Sequence, residues 1–217
     1  MKATICGVEF AEYPYERREV KAIVSLLKKP RTIIDIGANI GWWSISLSKT
    51  YPASKIYSFE PMPETIKYLR KNLAVNKVRN VRDYEVALSN KASIEIFNYY
   101  PGFPAASSFG DTQKLKAKKV KVRLLTLDLF AFADVDFIKI DAEGMELFVL
   151  KGARQTIAND HPVIFCEMMR KYCAKFNYHP NDIIKFLAEL NYKCYTINNE
   201  PFNKMTDDVK DTNFIFR

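Results

Sequence analysis

Long apolar runs are missing from this chain of 217 residues. No stretch approaches the roughly 20 apolar residues that a membrane-spanning helix needs, so no span is expected. The opening residues, MKATICGVEF, lack an apolar core followed by a small-residue cleavage site. That argues against a secretory leader and makes the cytoplasm the expected location. Histidine is scarce: only His161 and His179 occur. The four cysteines, Cys6, Cys166, Cys173 and Cys194, include no Cys-x-x-Cys pair. A structural zinc site is therefore not expected, no metal ligands are assigned, and the cysteines read as reduced, mostly buried thiols. Internal repeats, low-complexity tracts and linkers are also absent, which leaves one main core.

What is present is a globular composition, 48% hydrophobic and 27% charged. Lysine and arginine exceed aspartate and glutamate by 33 − 25 = 8. Such an excess suits an anionic partner: a phosphate sugar, a nucleic acid or a membrane face. It is spread along the whole chain and is densest at Lys114, Lys116, Lys118, Lys119 and Lys121. That run reads as a solvated edge strand, because edge lysines discourage sheet-to-sheet association.

Strand-like and helix-like segments alternate, which predicts a doubly wound α/β fold with a mostly parallel, seven-stranded sheet. Val20, Ile23, Val24 and Leu27 have helical spacing before Pro30. The first buried strand is TIIDIG (32–37), followed by a short helix that buries Trp43 and Leu47. KIYSFE (55–60) is a strand, Ile66, Leu69 and Leu73 line a helix, and 80–87 is a third strand. Residues 91–127 interrupt the alternation with two strands and a loop (101–110), read as a β-hairpin insertion. Alternation resumes with a strand at 136–141 and one helix carrying Leu147, Leu150, Ala153 and Ile157. A strand at 162–168, a helix at 183–188 and strands at 192–197 and 213–217 complete the sheet. The expected division is an N-terminal strand/helix extension over 1–30 and a main domain over 31–217, with the insertion at about 91–127.

DIGANIGWW (35–43) is the strongest local signal, a strand followed by a glycine turn and a helix. Gly37 and Gly41 permit a tight turn and close approach of a ligand. A dinucleotide loop would place glycine where Asn39 stands, to make room for a pyrophosphate. A nucleoside without phosphates fits the crowded loop better, and S-adenosylmethionine is such a cofactor. Asp35 is positioned to order the loop or to hold the cofactor's ammonium group. Glu60, one βα unit downstream, is placed to accept hydrogen bonds from a ribose diol, with Pro61 ending the strand behind it.

With these motifs the sequence resembles the FkbM family of S-adenosylmethionine-dependent methyltransferases over roughly 31–200. The resemblance rests on DIGANIGWWS (35–44), SFEPMPET (58–65) with Asn72, Ser107 and Ser108, LTLD (125–128), FIKIDAEGMELFVLKGA (137–153) and Glu167. It implies a class I, Rossmann-like methyltransferase fold and O-methylation of sugars and other small hydroxylated molecules. By that likeness Gly37, Asn39 and Gly41 line the methionine end, flanked by Ala38 and Trp42, and Glu60 holds the ribose. Ala87 lies where many class I enzymes keep an acid for adenine, so backbone and apolar contacts are expected there. Ser107 and Ser108 are candidates to close over the cofactor.

Methyl transfer to a hydroxyl needs positioning of the reactants and a nearby base. Asp141, Glu143 and Glu167 follow successive strands and are expected to converge beside the transferred group. Asp141 is read as contacting cofactor or acceptor, and Glu143 and Glu167 as base or acceptor-binding residues. His179 reads as a helix-start residue and His161 as having no role. Tyr99, Tyr100 and Phe103 are candidates for an acceptor lid or for plain packing. The expected acceptor is a small hydroxylated molecule, such as a sugar or an anionic compound, with nucleic acid disfavoured because no aromatic-basic reading motif is present. A nucleic-acid methyltransferase, a non-catalytic cofactor-binding module and an NAD-dependent oxidoreductase are the competing readings; Asn39 counts against the last.

Overall fold

The computed structural model describes residues 16–100, 109 and 117–217, together with the backbone of two short N-terminal strands. Those strands, β1 (Ala3–Ile5) and β2 (Val8–Phe10), pair antiparallel and precede α1 (Arg17–Leu26). β3 (Thr32–Ile36) follows, with all five residues buried, as expected of a parallel strand covered on both faces. It leads to α2 (Trp42–Thr50), β4 (Lys55–Phe59), α3 (Pro63–Val75) and β5 (Val81–Tyr84). The chain then builds a separate small sheet from β6 (Ala87–Leu88), β7 (Ser93–Tyr99) and β8 (Lys118–Leu125). β9 (Val135–Ile140), α4 (Glu146–Gly152), α5 (Arg154–Asp160) and β10 (Val163–Glu167) return it to the main sheet. α6 (Arg170–Cys173), α7 (Pro180–Ala188), β11 (Cys194–Thr196) and β12 (Asn213–Phe216) finish the fold.

The main sheet has seven strands in the order β11-β12-β10-β9-β3-β4-β5. Pairings from β10 through β9, β3 and β4 to β5 are parallel, and β12 alone runs antiparallel to its neighbours β10 and β11. The chain first winds outward from β3 to β4 and β5, then crosses to β9 on the other side of β3. That reversal puts a crevice beyond the C-terminal ends of β3 and β9, where folds of this type bind ligands.

Side-chain alternation divides the core. Ile34, Ile36, Ile138 and Ile140 pack with α4, α5 and α7 on one face. Ile33, Phe137 and Phe165 pack on the other with Ile23 of α1 and Trp43 and Leu47 of α2. Burying a side chain of this size contributes about 1.5–3 kcal/mol. Both β3 and β9 are thus fixed from two sides before either reaches the crevice.

Two elements differ from the sequence expectation. The strand expected over 80–87 is two: β5 stays in the main sheet, while β6 pairs with β8 in the small one. The helix expected through Ile157 breaks at Ala153, between α4 and α5. A Cβ on Gly152 would lie 1.9 Å from the Ser89 carbonyl oxygen, so the end of α4 is pressed against the β6 exit. The Asp128 carboxylate then supplies a new start for α5, accepting from the Gln155 and Thr156 backbone N–H groups and the Thr156 hydroxyl. The lysine-rich β8 pairs with β7 along its length and with β6 only at Leu124 and Leu125, so Lys118, Lys119 and Lys121 stand on an edge among the described residues, and Lys114 and Lys116 lie outside them.

Candidate active site

A row of polar residues crosses the main sheet one step before the crevice. Ser58, Asp35 and Lys139 are register neighbours on β4, β3 and β9, on the α1/α2 face. All three are buried. The Ser44 hydroxyl donates to Asp35 Oδ2 at 2.5 Å and lies 2.6 Å from the Ser58 hydroxyl. Lys139 Nζ donates to the carbonyl oxygens of Gly37 (2.8 Å) and Ile36 (3.2 Å). It also lies 3.5 Å from Asp141 Oδ2 and 3.7 Å from Asp35 Oδ1. Burial alone would lower the lysine's pKa, but the charges of Asp141, Asp35, Glu16 and Glu167 more than reverse this, and the ammonium persists. The buried cation thereby ties the end of β3 to the end of β9.

Beyond that row the backbone turns sharply. Gly37 and Gly41 have positive φ (70° and 93°), as does Asn39 at 49°. A Cβ on Gly37 would fall 1.8 Å from the Asp141 carbonyl oxygen, so glycine here lets the β3 and β9 exits touch. A Cβ on Gly41 would meet Leu69 Cδ1 of α3 at 2.4 Å, so the space Gly41 leaves open is taken by the core. Asn72 of α3 donates to the Ile40 carbonyl at 2.8 Å and fixes the same turn.

A cleft of about 660 Å³, open solvent at its mouth included, runs along these exits. Glu60 forms one wall. Its carboxylate is 7% exposed and accepts from the backbone N–H groups of Asn39 and Met62, both at 3.0 Å. Burial raises its pKa to about 7, although those two hydrogen bonds pull the other way. Met62, Val86, Leu88, Phe97 and Phe109 make an apolar slot beside it.

Asp141, Ala142 and Glu143 form the opposite wall. Their loop is held from beneath by the buried Glu146, whose Oε1 accepts from the Ala142 and Gly144 N–H groups, each at 3.0 Å. Tyr178 donates to Glu146 Oε2 at 3.0 Å. Glu143 adopts a left-handed conformation (φ 52°) and its carboxylate accepts from the Tyr172 hydroxyl. Its Oε2 is buried with no hydrogen-bond partner among the described residues. Burial and the nearby charges of Asp141 and Glu146 push the Glu143 pKa to about 8. Glu167, at the end of β10, is pushed to about 10 by burial and then by Asp141, Glu146 and Glu143.

Of the residues singled out from the sequence, Gly37, Asn39, Glu60, Pro61, Ala87, Asp141 and Glu143 line the cleft. Asp35 lies beneath it in the polar row, and Ala38 donates its N–H to the Phe59 carbonyl behind the turn. Trp42 begins α2, and Glu167 faces the acidic cluster from β10 without forming the cleft wall. Ser107, Ser108 and Phe103 lie outside the described residues. Tyr99 and Tyr100 are buried. His179 caps α7 through Nδ1, which accepts from the Asn181 N–H, and His161 stacks on Tyr192. Cys166, Cys173 and Cys194 are buried free thiols, and no group that could hold a metal ion occurs among the described residues. Four residues escaped the sequence reading: Lys139, Glu146, Tyr172 and Glu16. Glu16, half-buried before α1, has a pKa raised to about 7 by burial and lies within the field of Lys139 and Asp141. The signal for Lys139 was a charge inside the apolar stretch FIKI, with Asp35 inside the apolar stretch of another strand. The other three carry no local pattern.

A seven-stranded sheet of this order, with an acid at the end of β4 and a glycine turn after β3, defines a class I methyltransferase fold. Solved methyltransferase structures share it. The methyltransferase FkbM of Methylobacillus flagellatus KT superposes with a TM-score of 0.59 at 17% identity, covering 89% of this chain and 45% of that one. The precorrin-6y C5,15-methyltransferase of Geobacter metallireducens GS-15 gives 0.54 at 18% identity, covering 93% and 86%.

The family model of the methyltransferase FkbM domain matches residues 35–194, and the chain belongs to that family. The matched domain is described as a methyltransferase domain. Methyltransferase sdnD of Sordaria araneosa is 31% identical over 153 residues, which cover 55% of this chain and 59% of sdnD. The 31-O-demethyl-FK506 methyltransferase FkbM of Streptomyces tacrolimicus is 27% identical, covering 63% of this chain and 54% of its own. The 2-O-methyltransferase NoeI of Sinorhizobium fredii is 26% identical, covering 63% of each. The chain thus spans less than two thirds of the length of these curated relatives.

Proposed function

We propose that this chain transfers a methyl group to a hydroxyl of a small molecule, with a sugar or glycan as the acceptor class, in the cytoplasm. The observation that carries the reading is a single cleft with Glu60 on one wall and Asp141 and Glu143 on the other. Two relatives are named for methylation at oxygen. Three buried free thiols accord with a reducing compartment. We read 31–217 as the catalytic domain and 1–30 as an extension of it.

The residues fit the cofactor chemically. Each oxygen of Glu60 has one backbone donor and keeps lone-pair capacity for a ribose hydroxyl. The apolar slot suits adenine, and Asp141, kept beside the Lys139 ammonium, offers an anion to the methionine ammonium group. When bound, S-adenosylmethionine supplies a methyl group activated on sulfur, which leaves positioning and proton removal to the protein. Glu143 is the base in this scheme: once ionised, its unpartnered Oε2 accepts the proton of the acceptor hydroxyl. Glu167 stays protonated through the neutral range and acts as a hydrogen-bond donor beside it.

Calorimetry with S-adenosylhomocysteine tests the cofactor half. Glu60→Ala is expected to weaken binding by about 1–3 kcal/mol through lost charge-assisted hydrogen bonds. Affinity equal to the parent protein's would remove Glu60 from the site. A screen of hydroxylated sugars for methyl uptake tests the other half. Glu143→Gln should abolish most turnover with cofactor affinity within a few-fold. In the parent protein, turnover should climb with pH and level off above about 8, as Glu143 ionises.

A further inference from the structure

The small sheet has two unlike faces. Phe97, Val122 and Leu124 are buried on its inner face, where Phe97 lines the cleft. On the outer face Ile94 stands opposite Arg123, Ile96 opposite Lys121, and Asn98 opposite Lys119. Ile94 is 67% exposed and Ile96 45%, and all three cations are exposed. Lys118, on the other side of the strand, is the one that pairs with an acid, Glu64. Lys119, Lys121 and Arg123 form no ion pair among the described residues, and no acid shares their face of the paired strands. Edge lysines alone would suit a solvated strand, but two exposed isoleucines set among them add apolar surface that solvation does not call for.

We propose that this outer face docks on an anionic lipid bilayer. The cations match acidic headgroups, and isoleucines set between them gain by reaching the acyl boundary. A second copy of the chain is a poor occupant, since pairing this face with itself sets two rows of like charge together. Single-stranded nucleic acid is matched by cations interleaved with stacking aromatics, and the described outer face offers aliphatic groups instead. Docking here would leave the cleft, on the reverse side of the same sheet, facing away from the bilayer. The proposal is independent of the methyl-transfer reading.

Co-sedimentation of the full chain with vesicles tests it. Binding is expected to phosphatidylcholine vesicles containing phosphatidylserine and not to phosphatidylcholine alone, and it should weaken as salt rises. Replacing Lys121 and Arg123 together by glutamine should cut partitioning about 25-fold, near fivefold per cation removed. Ile94→Ser with Ile96→Ser should lower binding at every salt concentration, whereas Lys204→Gln, elsewhere on the surface, should leave it unchanged. Thermal melts confirm that each variant folds. The proposal is overturned by no binding to the mixed vesicles, or by equal binding of the Lys121/Arg123 variant. Tighter binding to RNA than to vesicles, or dimerisation lost in the isoleucine variant with no vesicle binding, would overturn it equally.

Discussion

Lys139 and Lys121 occupy comparable positions in the two sheets and are treated in opposite ways. Each has a register partner on a neighbouring strand, Asp35 for Lys139 and Ile96 for Lys121, but β9 is flanked on both sides at Lys139 and β8 on one side only at Lys121 among the described residues. Lys139 is 2% exposed and touches two carbonyl oxygens and two carboxylates. Lys121 is exposed and unpaired among the described residues. The difference lies in what covers the face. Helices α1 and α2 close over the main sheet, so a cation there survives only with internal partners. Nothing described closes over the outer face of the small sheet, and water does the same work for Lys121.

The sharpest way to break this contrast is to remove the internal partner. Lys139→Met should destabilise the protein by about 3–5 kcal/mol, because Asp35 is left charged and buried with only the Ser44 hydroxyl beside it. Urea unfolding measures it. Asp35→Asn combined with Lys139→Met should recover part of the loss. A double variant no better than Lys139→Met would mean that the two charges do not act as a pair.

That pair also marks the limit of what was readable. The parallel strands, their order of appearance and the crevice were legible because TIIDI, KIYSF and DFIKI are short, mostly apolar runs rich in isoleucine and phenylalanine. Glu60 was legible because a strand that ends in an acid and then proline has few other readings. Lys139 was overlooked because its partner is 104 positions away in sequence, and only the register between β3 and β9 brings them together. The break at Ala153 was hidden for the same reason: helical periodicity runs straight through it, and the causes, Ser89 and Asp128, come from the small sheet's neighbourhood.

Asp128 joins the two regions, since it lies three residues past the end of β8 and accepts from the first turn of α5. Asp128→Ala should therefore cost about 1–2 kcal/mol, the usual loss for a helix cap. Hydrogen exchange should show the loss concentrated in α5. Uniform loosening across both sheets would mean that the carboxylate is not a local cap.

The acidic cluster gives a pH signature that separates the regions further. Glu60, Glu143 and Glu167 all have folded-state pKa values above those of exposed glutamates, so the folded protein holds protons that the unfolded chain releases. Stability should therefore be fully present below about pH 4.5 as far as these groups are concerned, and should decline as pH rises through about 7, 8 and 10. The cofactor-free protein should melt at a lower temperature at pH 8.5 than at pH 6. Glu143→Gln with Glu167→Gln should flatten that slope. An unchanged slope would place the titration elsewhere.

The smallest effect is expected where the contrast began. Lys121→Gln with Arg123→Gln should change folding stability by no more than about 0.5 kcal/mol, since neither side chain has a partner to lose among the described residues and both keep their contact with water. The affinity for S-adenosylhomocysteine should also stay the same, because these side chains lie on the reverse of the sheet from Phe97 and the cleft. A lysine change worth several kcal/mol in one sheet and almost nothing in the other would show that coverage of the face sets the energetic cost of the charge. A loss above about 1 kcal/mol from the surface pair would instead mean that the outer face is covered in solution, and the vesicle experiment would then have to be read against that cover.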